Sequence, residues 1–117
     1  MLIDFSDKME RDAKKLKDSI AKVRLNKTIK AMSESQDGSI NNMFGDHQLT
    51  GALRAYRELH LNGDRLLVYK FYVIKGQRRI FLEGIYSHKE LNNLKGADSL
   101  VLFSSLSITE ASNETQD

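Results

Sequence analysis

Three histidines and one aspartate are the residues of this sequence best suited to chemistry. His47, His60 and His88 all fall in the second half of the chain, where runs of alternating apolar residues begin or end. Imidazole titrates near neutrality, and general acid–base catalysis works best with groups that titrate near the operating pH. One histidine alone is an ordinary structural residue. Three of them, with Asp64 four positions after His60, point to proton transfer.

Whether His60 and Asp64 cooperate depends on the turn between them. If Asn62-Gly63 is a two-residue turn, His60 pairs with Arg65 and Asp64 points to the opposite face. If Leu61-Asn62-Gly63 is a three-residue loop with Gly63 left-handed, His60 and Asp64 become cross-strand partners on one face. Gly63 suits both arrangements.

The elements that must position these residues read as follows. Met1–Phe5 is a short strand. Ser6 and Asp7 are capping types ahead of Met9, Ala13 and Leu16, whose spacing predicts a helix over residues 7 to 17. Asp18-Ser19 opens a second helix carrying Ile20, Val23 and Leu25 to Met32, stopped by Gln36-Asp37-Gly38. Residues 38–51 form a loop rich in Gly, Asn and Ser. The period then changes to two. Tyr56 to Leu61, Arg65 to Ile74 and Arg78 to Tyr86 are three antiparallel strands, joined by turns at Asn62-Gly63 and Lys75-Gly76-Gln77. Ser87 caps a short helix from His88 to Lys95, Ser99–Ile108 reads as a further or edge strand, and Thr109–Asp117 is a polar tail. The fold class is α+β: a short strand and a helical hairpin packed on one face of an antiparallel sheet of four or five strands, with a short C-terminal helix and the other sheet face open.

Composition narrows the function further. A chain of 117 residues holds one domain, read as residues 1–108 with 109–117 as the tail. The absence of Cys excludes disulfides, thiolate metal sites and a cysteine nucleophile, and suits the cytosol. Neither a cationic leader nor a 20-residue apolar run is present, so no signal peptide and no membrane span are expected. The net charge of +2 hides an asymmetry: the first 95 residues carry +6 and the last 22 carry −4. The body is therefore basic enough to attract a polyanion or an acidic protein, and the acidic end could shield it in cis.

The block Asp46-His47-Gln48-Leu49-Thr50-Gly51, followed by Tyr56-Arg57-Glu58-Leu59-His60 and Asp64-Arg65-Leu66-Leu67-Val68-Tyr69-Lys70, resembles the RelE superfamily of toxins, in particular its YafQ branch. Ile85-Tyr86-Ser87-His88-Lys89-Glu90-Leu91 resembles that branch's C-terminal segment, and the likeness runs over about residues 3–92. The resemblance implies a ribosome-dependent endoribonuclease, the toxin of a toxin–antitoxin pair, that cuts mRNA in the ribosomal A site without a metal or cofactor. It implies that His47, His60, Asp64 and His88 line a concave sheet surface, activate the ribose 2′-hydroxyl and protonate the 5′-oxygen. A cognate antitoxin is the implied protein partner.

The chain departs from that pattern at three places. Gly84 stands where relatives place an Arg four residues before the last His, Arg65 where they carry Trp, and Asn92 where an aromatic is frequent. Arg57, Arg65, Arg78 and Arg79 are the candidates to supply the lost cation, with a solvated strand start as the plain alternative for the last two. Of Tyr56, Tyr69, Phe71, Tyr72, Phe81 and Tyr86, most must be core at strand spacing; Tyr86, beside His88, is the candidate for stacking on a base. The spacing is not that of a zinc site. Two rival readings share the fold: a binding module that has lost cleavage, and an inhibitor of DNA gyrase resembling ParE.

Overall fold

The computed structural model describes residues 1–94. The strand expected over Ser99–Ile108 and the tail at Thr109–Asp117 lie outside the described residues. The elements run β1 (Ile3–Phe5), α1 (Asp7–Lys15), α2 (Ser19–Glu34), β2 (His47–Gln48), β3 (Arg57–Asn62), β4 (Arg65–Ile74), β5 (Gln77–Tyr86) and α3 (His88–Leu94). Tight turns sit at Met43–Gly45 and Gly51–Leu53.

Each helix starts where its capping residue dictates. Ser6 Oγ accepts from the Met9 amide at 2.8 Å and donates to the Glu83 carbonyl, so the N-terminus of α1 is fixed to β5. Asp18 caps α2 by accepting from the Ala21 amide at 2.9 Å. The same carboxylate accepts from Asn62 Nδ2 at 3.0 Å, which ties the break between the helices to the end of β3. In α2 the buried stripe is Ala21, Leu25, Thr28 and Met32, at spacings of four and three. Ile20 and Val23, expected to continue the apolar face, are instead 53% and 51% exposed. The buried face of α2 is thus the Ala21, Leu25, Thr28 and Met32 stripe that packs on the sheet, rotated from that expectation.

The sheet order is β1-β5-β4-β3-β2. It is antiparallel from β2 to β5, and β1 adds a parallel edge beside β5 through Ile3, Asp4 and Phe5. No tight turn links β1 to its neighbour, so nothing local sets its direction. The β4–β5 turn is Lys75-Gly76, with φ of +50° and +78°, the left-handed pair that a two-residue hairpin of type I′ needs.

Leu59, Leu61, Leu67, Tyr69, Ile80 and Leu82 face the helices and pack with Met9, Leu16, Ala21, Leu25 and Met32. The face expected to be open carries a second, smaller core of Leu49, Leu53, Tyr56, Leu66, Val68, Tyr86 and Leu91. The continuous run Leu66-Leu67-Val68-Tyr69 serves both layers, as a strand between two neighbours and buried on both faces must. In the second core, Leu66, Tyr86 and Leu91 cover the end of the sheet where β5 gives way to α3, beside which His60 stays half-buried and His88 exposed.

Candidate functional site

The turn between β3 and β4 differs from both arrangements read in the sequence. Asn62 pairs with Arg65, so the turn residues are Gly63, at φ +55°, and Asp64. A register shift between His60 and Asn62 absorbs one residue and sets His60 opposite Leu66. His60 therefore stays on the sheet face turned away from the helices, and Asp64 projects from the hairpin tip rather than pairing with it.

Asp64 instead holds His88. Its Oδ1 accepts from the His88 backbone amide at 2.8 Å and contacts the ring Nδ1 of the same residue. Those two donations hold the Asp64 carboxyl below the usual carboxylate range, the backbone hydrogen bond being the larger cause. Because an ionised carboxylate only accepts, the ring hydrogen sits on Nδ1 and Nε2 is left for chemistry. His88 opens α3 through a reciprocal cap: Ser87 Oγ accepts from the Glu90 amide at 3.0 Å, and Glu90 Oε1 accepts from the Ser87 amide at 2.9 Å. The amide that Asp64 accepts from is one of the first-turn donors that a helix cannot satisfy itself. The His60 and His88 rings then stand 5.6 Å apart between centroids, tilted by 41°.

His47 belongs to the same face but to a different pair. It lies opposite Glu58, two residues before His60 on β3. Its Nδ1 donates to the Gly45 carbonyl at 2.8 Å, and Nε2 meets Glu58 Oε1 at 3.0 Å. A carbonyl can only accept, so Nδ1 carries a hydrogen. Glu58 is buried, and its Oε2 accepts no hydrogen bond among the described residues. Sequence reasoning missed Glu58; its signal was the two-residue spacing to His60 on a strand. Gly45 connects the two pairs, since a Cβ there would lie 3.3 Å from Cδ2 of His60.

The candidate arginines separate. Arg57 points to the helix side, three positions out of phase with His60, and grips the buried Asp46 through Nη2 at 2.8 Å and Nε at 3.2 Å. The Tyr69 hydroxyl donates to the same carboxylate. Arg78 and Arg79 start β5, whereas Tyr86 ends it, so roughly 25 Å of strand lies between them and the histidines. Arg79 is bound to Asp4 at 2.6 and 2.8 Å, and Arg78 stacks on Phe71 at 4.2 Å. Both therefore lie at the end of β5 away from the histidines. Arg65 remains, exposed beside the turn, with Nη1 3.4 Å from Asp18.

Tyr86 is buried in the second core rather than open for stacking, and burial pushes its hydroxyl pKa up. It shares a row with the histidine site, because His60 pairs with Leu66 and Leu66 with Tyr86. A groove of about 590 Å³ continues from Asp64 and Tyr86 past Lys15, Lys17 and Arg65. Among the described residues no three His, Cys, Asp or Glu side chains converge as a metal centre requires, and no helix is long and apolar enough to cross a membrane.

A strand, two helices and a sheet ending in a short helix that begins with histidine give the chain the fold of the YafQ and YoeB toxins. Similar solved structures include a metal-bound toxin from Helicobacter pylori, at 35% identity and TM-score 0.58, covering 78% of this chain and 98% of that one. A YafQ mutant from E. coli matches at 22% and 0.56, over 76% and 94% of the two chains. The YoeB–YefM complex from Staphylococcus aureus matches at 21% and 0.55, over 75% and 98%. The model for YafQ, described as a bacterial toxin of type II toxin–antitoxin systems, matches residues 1–93, and the chain belongs to that family. An antitoxin is accordingly its partner. Among curated proteins none matches.

Proposed function

We propose that this toxin is a ribosome-dependent endoribonuclease that cuts mRNA in the ribosomal A site by way of the message's own 2′-hydroxyl. The observation that carries the reading is the pair of imidazoles 5.6 Å apart, one of them fixed by Asp64 through both its ring and its amide. In the reaction, the 2′-oxygen attacks the adjacent phosphorus while its proton passes to one imidazole. The P–O5′ bond breaks, and the other imidazole delivers a proton to O5′. The products are a 2′,3′-cyclic phosphate and a free 5′-hydroxyl, with no net change in protons and no redox partner.

His60 and His88 form the acid–base pair, and Asp64 is the orienter of His88 rather than a base, since its carboxyl is held ionised and occupied. The His47–Glu58 pair flanks them on the same face. Arg65 adds positive charge at the hairpin tip. The antitoxin contributes an acidic segment that folds onto the basic body, a common way to cover a charged surface.

The test is a purified translation system in which the ends of broken mRNA are mapped and their chemistry identified. The reading expects breaks within translated codons that carry 2′,3′-cyclic phosphate and 5′-hydroxyl ends and disappear with His88→Ala. Blocked translation with intact mRNA, or gyrase-dependent DNA breaks with intact mRNA, would replace it with a binding module or a gyrase inhibitor.

A further inference from the structure

A 2′-hydroxyl attack concentrates negative charge on the phosphorane, so an RNA-cutting site needs a fixed cation beside its acid and base. Arg57 is turned to the other face, Arg78 and Arg79 lie at the far end of β5, and Arg65 sits at the hairpin tip beside Asp18. The cation that the fold delivers to the end of the His60–Leu66–Tyr86 row comes from the first helix. Lys8 reaches across from α1 so that its Nζ stands 4.1 Å from the centroid of the Tyr86 ring.

Gly84 makes that reach possible. Its φ is not left-handed, so the backbone there does not require glycine. Space favours it: a Cβ at position 84 would lie 3.1 Å from Lys8 Cδ, 3.2 Å from Asp12 Oδ2 and 3.2 Å from Tyr86 Cε2, so these side chains would have to give by a few tenths of an ångström. The Lys8 stem packs where the Cβ of a larger residue at position 84 would stand. Two anchors then fix the ammonium. It pairs with Asp12, one turn along α1, and donates to the Ile85 carbonyl at 3.1 Å. Asp12 in turn accepts from the Ile85 amide at 2.9 Å, so Lys8 and Asp12 together close the edge of β5 beyond β1. An ammonium has three N–H donors, and these two anchors use two of them. The side chain is 28% exposed, and neither anchor uses the third donor.

We infer that Lys8 is the phosphate-binding cation of this site, presented from α1 over Gly84, and that the two positions act as a coupled pair. The inference rests on the endoribonuclease reading and names the residue that neutralises the scissile phosphate within it. The plain alternative, that Lys8 only caps the β5 edge, predicts a loss of stability without a loss of phosphate affinity.

Lys8→Met keeps the stem over Gly84 and removes the charge, and Lys8→Arg keeps the charge. Lys8→Ala combined with Gly84→Arg moves a cation into the vacated volume. Two readouts apply. The first is cleavage of translated mRNA: a loss of roughly 10²-fold is expected for Lys8→Met, with Lys8→Arg and the double variant restoring most of it. The second is the salt dependence of binding to a 2′-O-methyl oligoribonucleotide, which cannot be cut. Here Lys8→Met should lower the slope of log affinity against log salt by about 0.7, one phosphate contact on a single strand. An unchanged slope, or wild-type cleavage by Lys8→Met, overturns the inference. So does lost cleavage that neither cationic variant restores. If the wild-type toxin leaves mRNA intact, the endoribonuclease reading fails, and the inference fails with it as a statement about a scissile phosphate. The slope would still say whether Lys8 contacts phosphate.

Discussion

Two carboxylates in this molecule do the same elementary thing with opposite consequences. Asp46, buried on the helix side of the sheet, collects Arg57 and the hydroxyl of Tyr69. Asp64, at the β3–β4 tip, collects the amide and ring of His88. The side chains of Asp46 and Arg57 are 5% and 29% exposed, whereas those of Asp64 and His88 are 61% and 55% exposed. Removing water makes the first cluster a permanent fastening, because an unpaired member would be costly. In the second, water remains, the contact adds little to stability, and the imidazole stays accessible to a substrate. Exposure, more than residue type, separates scaffold from site.

Mutations should break that contrast unequally. Asp46→Ala strands Arg57 and the Tyr69 hydroxyl and is expected to cost about 2–3 kcal/mol, read from urea unfolding, after allowance for the partial exposure of Arg57. Asp64→Asn should leave the unfolding midpoint nearly unchanged and slow cleavage by roughly 10-fold or more, because the common acceptor of ring and amide loses its negative charge and holds the imidazole less firmly. Equal stability losses in the two variants would erase the distinction. Gly45→Ala, at φ +74° and 3.3 Å from the His60 ring, should cost about 1 kcal/mol and disturb cleavage as well. The smallest effect is one of pH. Since the folded Asp64 carboxyl lies below its ordinary value of 3.8, its contribution is complete above that value and is lost as pH falls through the folded one. The stability difference between wild type and Asp64→Asn should be constant from pH 7 to about 4 and shrink below it.

Much of this was legible from residue pattern because local chemistry decided it. Ser6, Asp18 and Ser87 stop and start helices by capping, and the Leu, Val, Ile, Tyr and Phe run between two turns marked β4 as Arg65 to Ile74. The bulge after His60 was not legible, because Gly63 fits several turns and only pairing across β3 and β4 selects one. The direction of β1 and the rotation of α2 depend on neighbours distant in sequence. The arginines show the limit most clearly. Charge and position in a motif said that Arg57 and Arg79 were available, while Asp46 and Asp4, far from them in sequence, determine that they are occupied. Glu58 was hidden for the converse reason, a carboxylate in the variable slot of a motif whose burial and contact with His47 emerge only on folding.

The most direct test is the single-turnover rate at which the wild-type toxin and its His60→Ala and His88→Ala variants cut an mRNA paused on purified ribosomes. Both substitutions are expected to lower the rate by about 10²–10⁴-fold while leaving antitoxin binding and the unfolding midpoint intact. Wild-type rates in either variant would contradict the assignment of proton transfer to this pair of imidazoles.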